Sequence, residues 1–142
     1  MLHRNLVAAS IFAAICSASL PAAAQDAGYP AAPLLSTGTS IVGEPLRYPT
    51  SGPAQVTASV IVLAPGGKTI MHKHGVPLFA YILDGELTVD YGAQGTRIYR
   101  QGEAFMEAME VAHFGVNGGA APVRILAVYL GAQGADNVIP VR

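Results

Sequence analysis

The stretch IMHKHGVPLFAYILDGE (Ile70–Glu86) decides how this chain is read. It sets His72 and His74 one residue apart, follows them with the apolar run LFAYIL, and closes on Asp84-Gly85, a turn signal. On a strand, residues i and i+2 share a face, so HKH puts His72 and His74 on one side and Lys73 on the other. Two neutral imidazoles on one face form a bidentate clamp for a divalent metal. The plain alternative is an exposed His-x-His pair with no function. Here the pair lies between the Pro65-Gly66-Gly67 turn and an apolar strand, which points it toward an interior where buried ring nitrogens need partners.

Outward from this stretch, the chain keeps a strand-like texture. VTASVIVL, LFAYIL, LTVDY, TRIYR, HFGVN and VRILAVYLG are short runs rich in β-branched and aromatic residues, punctuated by Gly, Pro, Asn or Asp. Residues 56–131 hold no long helical period, and GEAFMEAMEVAH reads as strand plus turn. Many short strands with regular turns in a small chain predict an all-β antiparallel sandwich or barrel. Residues 55–142 form this domain. Residues 25–54, rich in Pro, Gly, Ser, Thr and Ala, read as an N-terminal arm. Its first part, to about Ser36, is expected to be mobile. Its second part, with SIVG and LRY, is expected to lie as an edge strand limited by Pro45 and Pro49.

The first 24 residues have the build of a secretory signal peptide: a basic start (His3, Arg4), an apolar run from Leu6 to Leu20, then Pro21 and Ala22-Ala23-Ala24. The run is short for a membrane span. The expected location is therefore periplasmic or secreted. Cleavage after Ala24 leaves 118 of 142 residues and removes Cys16, the only cysteine, so no disulfide or thiolate ligand remains. It also removes Arg4, leaving seven basic against nine acidic side chains, a net charge of −2 without a basic patch. Nucleic acid and anionic membranes are thereby disfavoured as partners.

The mature chain has three histidines, His72, His74 and His113. The third lies in a separate β segment and is the only imidazole left to complete a site. Around these residues the sequence resembles the cupin superfamily. Gly66, His72, His74 and Gly85 fall at the spacing of that family's first motif, and Gly102, His113 and Asn117 at that of its second. The resemblance covers roughly Val56–Gly131 and is closest to small, exported, single-domain bacterial cupins. It implies a jelly-roll barrel and a metal held by His72, His74 and His113. It also permits a homodimer in which residues 37–54 supply an exchanged strand. The chain departs from the pattern twice. Leu78 stands where the family's metal-binding glutamate would be, and Ala108-Met109-Glu110 replace a Pro-x-Gly turn.

Three neutral ligands leave a divalent ion at a formal charge of about +2, more electrophilic and with more open positions than a site containing a carboxylate. Fe, Mn, Zn, Ni and Cu are all compatible with such a set. With iron, the open positions can take a bidentate substrate and O₂ together, and the resemblance to cupins permits a dioxygenase-like reaction; a zinc site suits polarising a carbonyl or making hydroxide. Glu107, six residues before His113, is the candidate for a substitute: a fourth ligand, a partner of the ligands, or a catalytic acid/base. Its plain alternative is a carboxylate bonded to a turn. Asn117 is expected to hold a turn. Phe79, Tyr81, Tyr91, Tyr99, Phe105, Met106, Met109 and Phe114 are candidates to line a pocket or to pack the core. Three functions share this fold: a metal-dependent oxygenase-like enzyme on a small molecule, a non-catalytic module binding a small ligand or metal, and a purely structural domain.

Overall fold

The computed structural model describes Gly28 and residues 30–142; residues 1–24, read above as a signal peptide, lie outside the described residues. Ala32–Arg142 form one compact unit. Its strands are β1 (Ala54–Leu63), β2 (His72–Lys73), β3 (Leu78–Asp84), β4 (Glu86–Asp90), β5 (Thr96–Arg100), β6 (Ala104–Met106), β7 (Phe114–Val116), β8 (Val123–Ala132) and β9 (Ile139–Pro140). A single 3-10 turn, Gly92–Gln94, joins β4 to β5, and no α-helix occurs among the described residues.

All strand pairs are antiparallel. They form a four-stranded sheet in the order β1-β8-β3-β6, a three-stranded sheet β5-β4-β7, and the short pair β2-β9. The strong runs of the sequence thus become the expected strands. Alternation explains why: in β3 the buried positions are Leu78, Ala80 and Ile82, and in β8 Val123, Ile125, Ala127 and Tyr129. Those faces meet Leu87, Val89, Tyr91 and Tyr99 from β4, the turn after it and β5, with Phe105 from β6, as the main core. Each fully buried Leu, Ile, Val or Phe contributes about 1.5–3 kcal/mol. Val76, Leu78, Ala127 and Tyr129 make a smaller second cluster.

Gly85 makes the β3–β4 connection possible. Its φ is +80°, and a Cβ there would lie 3.0 Å from the Pro122 carbonyl oxygen and 3.1 Å from a Val123 methyl. Only glycine fits such a position without strain.

Three local outcomes differ from the sequence expectation. The segment TIMHKH keeps only His72–Lys73 as regular strand, paired with a C-terminal β9 that its weakly patterned sequence did not signal. Residues 37–54 do not form an edge strand before Ala54. Instead, residues 38–46 turn back on themselves, with a single bridge Thr39↔Pro45 and a Leu46 N–H donating to the Gly38 carbonyl at 2.9 Å. Pro45 and Pro49 have no N–H for a ladder, and Gly43, at φ +86°, reverses the chain. This turn is tied to β6 by the Ile41 N–H, which donates to the Met106 carbonyl at 2.8 Å.

Candidate metal centre

His72 sits opposite His113 in an isolated antiparallel bridge, each N–H donating to the other's carbonyl at 3.0 Å. Directly opposed residues project to the same side, and the two rings lie 4.6 Å apart between centroids. His74, two residues on from His72, is turned to the same side; its ring is 4.8 Å from that of His72 and 5.2 Å from that of His113. Its backbone N–H donates to the Met109 carbonyl at 3.1 Å. His74 and His113 are buried, at 3% and 2% exposure, and His72, at 9%, lies at the edge of the buried group. Lys73 points away and meets Glu110 at 3.8 Å on the surface.

Each imidazole is oriented through Nδ1. The His72 Nδ1 lies 2.7 Å from the Ile70 carbonyl, the His74 Nδ1 2.8 Å from the Asn137 carbonyl, and the His113 Nδ1 2.9 Å from the Val111 carbonyl. A carbonyl only accepts, so each Nδ1 carries the proton and each Nε2 presents a lone pair. One ring nitrogen from each histidine lies within 4.8 Å of those of the others. The Nε2 atoms of His74 and His113 are buried and have no hydrogen-bond partner among the described residues. An orphaned buried polar atom costs about 1–3 kcal/mol, which a bound ion would offset. Burial holds the pKa of all three below the usual histidine value, that of His74 at about 4. All three are therefore neutral at pH 7, the state a metal ligand requires. The donor set fits a divalent transition metal.

Glu107 joins the group from β6's end. It is 6% exposed, so it is not a turn carboxylate facing solvent. Its Oε1 accepts the Ala108 N–H at 2.8 Å, and its Oε2 lies 3.8 Å from the His113 Nε2. Burial pushes its pKa up to about 7, against the opposing pull of the Tyr91 hydroxyl and the Ala108 N–H. The Tyr91 hydroxyl is 2.9 Å from that of Tyr99, whose ring stacks on Phe105 at 3.6 Å. Burial raises both phenols well above their usual range, so they stay protonated. Glu107, His72 and His113 line a cavity of about 60 Å³ whose other walls include Ile61, Ala80, Leu87, Val89, Phe105 and Ile125. Ala80 shares its β3 face with Leu78 and Ile82, so the apolar face expected beside the histidines does point inward.

The other candidates sort cleanly. Asn117 holds a turn: its Nδ2 donates to the Leu63 and Ala121 carbonyls and its Oδ1 accepts the Gly119 N–H, all at 2.9 Å. Tyr91, Tyr99, Phe105 and Met106 are buried, whereas Phe79, Tyr81, Met109 and Phe114 are half-buried. The sequence reading missed the carbonyls of Ile70, Val111 and Asn137, because a backbone acceptor has no residue signature. It also missed Glu44 of the arm. The Glu44 carboxylate accepts the N–H groups of Met109, Glu110 and Val111.

Comparison with known proteins agrees with this architecture. The Cupin domain family matches residues 59–129, half of the chain. No curated protein matches the chain in sequence. Among solved structures, oxalate decarboxylase from Lactobacillus farciminis, in a formate complex, superposes with a TM-score of 0.53 at 21% identity, over 61% of this chain and 26% of its own. An oxalate oxidase gives 0.52 at 24%, over 61% and 46%. The polyketide cyclase RemF from Streptomyces resistomycificus gives 0.51 at 24%, over 66% and 63%. The chain thus spans less than two thirds of each of these proteins, and the likeness is one of fold. With half of its length matched and its histidines at the motif positions, the chain belongs to the cupin superfamily.

Proposed function

We propose that this cupin holds one divalent transition metal ion through the Nε2 atoms of His72, His74 and His113 and acts as an oxygenase-like enzyme on a small molecule. One observation carries the reading: three clustered imidazoles, each with its Nδ1 turned to a backbone carbonyl, bring one ring nitrogen each within 4.8 Å of the others. The ion would supply Lewis acidity and, if iron, manganese or copper, redox chemistry. Glu107, close enough to His113 for both to contact one ion, serves as fourth ligand or as the catalytic proton-holding group. As a ligand it lowers the formal charge of the centre from about +2 to about +1. The largely apolar walls around it raise the weight of each charge there.

The cavity of about 60 Å³ beside His72 and His113 suits a ligand of a few heavy atoms. Three neutral imidazoles favour an anion or chelator there. A solved cupin of similar fold is an oxalate decarboxylase in complex with formate, and a carboxylate of that size suits this space. The same small volume also supports a second reading, a non-catalytic module that binds the metal or a small ligand. We further read the three sheets as a jelly-roll barrel and the protein as periplasmic or secreted after cleavage at Ala24. A homodimer fits β1, which lies at the edge of its sheet among the described residues and exposes Val56, Val60 and Val62.

Elemental analysis of protein purified from its own compartment tests the metal. About one equivalent is expected in the wild type and under a tenth in His113→Ala; a metal-free wild type that takes up no ion on titration overturns the proposal. Oxygen uptake by the iron-loaded protein over small carboxylates, catechols and diketones separates enzyme from module. Saturable binding without turnover supports the module.

A further inference from the structure

Among the described residues the arm carries one carboxylate, Glu44, which accepts from Ser40 beside it and from the turn at 109–111. Ser40 and Glu44 close a tight loop: the Ser40 N–H donates to the Glu44 carbonyl at 2.8 Å, and the Ser40 hydroxyl donates to Glu44 Oε2 at 2.9 Å. From this loop the Glu44 side chain reaches the turn at 109–111. Its Oε2 accepts the Met109 N–H at 2.8 Å, and its Oε1 accepts the N–H groups of Glu110 and Val111 at 2.9 and 3.0 Å. Three successive backbone N–H groups pointing at one centre form an anion-binding nest, and here the chain's own carboxylate fills it.

The carbonyls of that same turn face the histidines. Met109 C=O accepts the His74 N–H at 3.1 Å, and Val111 C=O lies 2.9 Å from the His113 Nδ1. We infer that Glu44 is a positioning residue for the proposed metal centre: by fixing the 109–111 turn it sets the orientation of His74 and His113. The inference rests on the metal-site reading proposed above. Burial works to raise the Glu44 pKa, but hydrogen bonds from Met109, Ser40, Glu110 and Val111 prevail and hold it below the ordinary carboxylate value, so the nest is filled by a charged group at pH 7. This device also accounts for the departure at Ala108-Met109-Glu110. The turn is pinned from outside by an acid 65–67 residues earlier in the chain.

The test is a Co²⁺ titration of metal-free wild type, Glu44→Ala and Glu44→Gln, read by ligand-field absorption and paired with NMR of the histidine ring protons before metal is added. Loss of partners behind metal-ligating histidines lowers affinity by about 10–100-fold. That loss is expected for Glu44→Ala, with a changed cobalt spectrum and loss of the slowly exchanging His113 Nδ1 proton. Glu44→Gln, which keeps one acceptor oxygen, should recover part of both. Wild-type affinity, spectrum and ring protons in Glu44→Ala overturn the inference. If Glu44→Ala does not fold, Glu44→Gln decides: a shifted His113 ring proton supports the role and an unshifted one overturns it. A wild type that binds no Co²⁺ sinks the metal reading instead, and the ring-proton comparison then decides the role of Glu44.

Discussion

Glu107 stands directly across from Leu78: the β3–β6 register runs Ala80↔Phe105, Phe79↔Met106, and its next step is closed by the Glu107 N–H donating to the Leu78 carbonyl at 2.9 Å. Facing residues of an antiparallel pair project to the same side. Glu107, just past the end of β6, thus faces Leu78 and brings its Oε2 to 3.8 Å from the His113 Nε2. Leu78 itself packs with Val76, Ala127 and Tyr129.

This pairing makes a rescue experiment possible. Glu107→Gln should weaken metal binding by about 10–100-fold, the usual cost of losing a ligand's partner or a weak ligand. Adding Leu78→Glu to that variant returns an acid to the facing position and should bring affinity back toward wild type, measured by competition with a chelating dye. A double variant that binds more weakly than Glu107→Gln alone refutes the idea that the two positions are interchangeable.

The raised pKa of Glu107 predicts a pH signature in the metal-free protein. Its folded-state value, about 7, lies above the 4.5 of an ordinary glutamate. The folded state thus binds the proton more tightly than the unfolded state does. The resulting stability is fully present below pH 4.5 and is lost as pH rises through 7. Integrated over that window it amounts to about 3 kcal/mol. Glu107→Gln mimics the protonated form, so its urea-unfolding free energy should match wild type near pH 4.5 and exceed it above pH 7. Parallel curves from pH 4.5 to 8 would contradict the assignment.

The fold was legible because its long strands alternate. In LFAYIL and VRILAVYL every second residue is buried. His72, His74 and His113 were legible because a small histidine inventory leaves few ways to build a site. What stayed hidden depends on contacts between distant segments. Asn137 supplies a backbone acceptor to His74 from 63 residues away, and no side-chain pattern encodes that. Glu44 sits in a Pro- and Gly-rich stretch that reads as linker, and only the folded chain brings it to the 109–111 turn. Glu107 was visible as an acid near His113, but its burial became apparent only once β6 was paired to β3.

Metal removal should lower stability in a concentration-dependent way. An ion that binds only the folded state adds about 2.7 kcal/mol at a free concentration of 100 Kd. Melting curves recorded across a series of free Co²⁺ or Zn²⁺ concentrations should therefore rise continuously for wild type. His74→Ala and His113→Ala remove a ligand each, and their melting temperatures should stay flat over the same series. A wild-type melting temperature indifferent to metal would mean that the three lone pairs hold nothing.

Asn117 separates a turn-holding role from a ligand-binding one. It is fully buried, and its amide satisfies the carbonyls of Leu63 and Ala121 and the N–H of Gly119. Its own backbone exchanges bonds with the Pro-Gly-Gly turn, the Gly66 N–H donating to its carbonyl and its N–H to that of Gly67, both at 2.9 Å. Asn117→Ala strips three side-chain bonds at about 0.5–1.5 kcal/mol each, a predicted loss of about 2–4 kcal/mol. The urea midpoint should fall with an unchanged slope, since the folded state stays as compact as before. Metal affinity of the folded protein should change by less than about threefold, because none of the carbonyls that orient the imidazoles belongs to this turn. A large loss of affinity with unchanged stability would instead place Asn117 in the site.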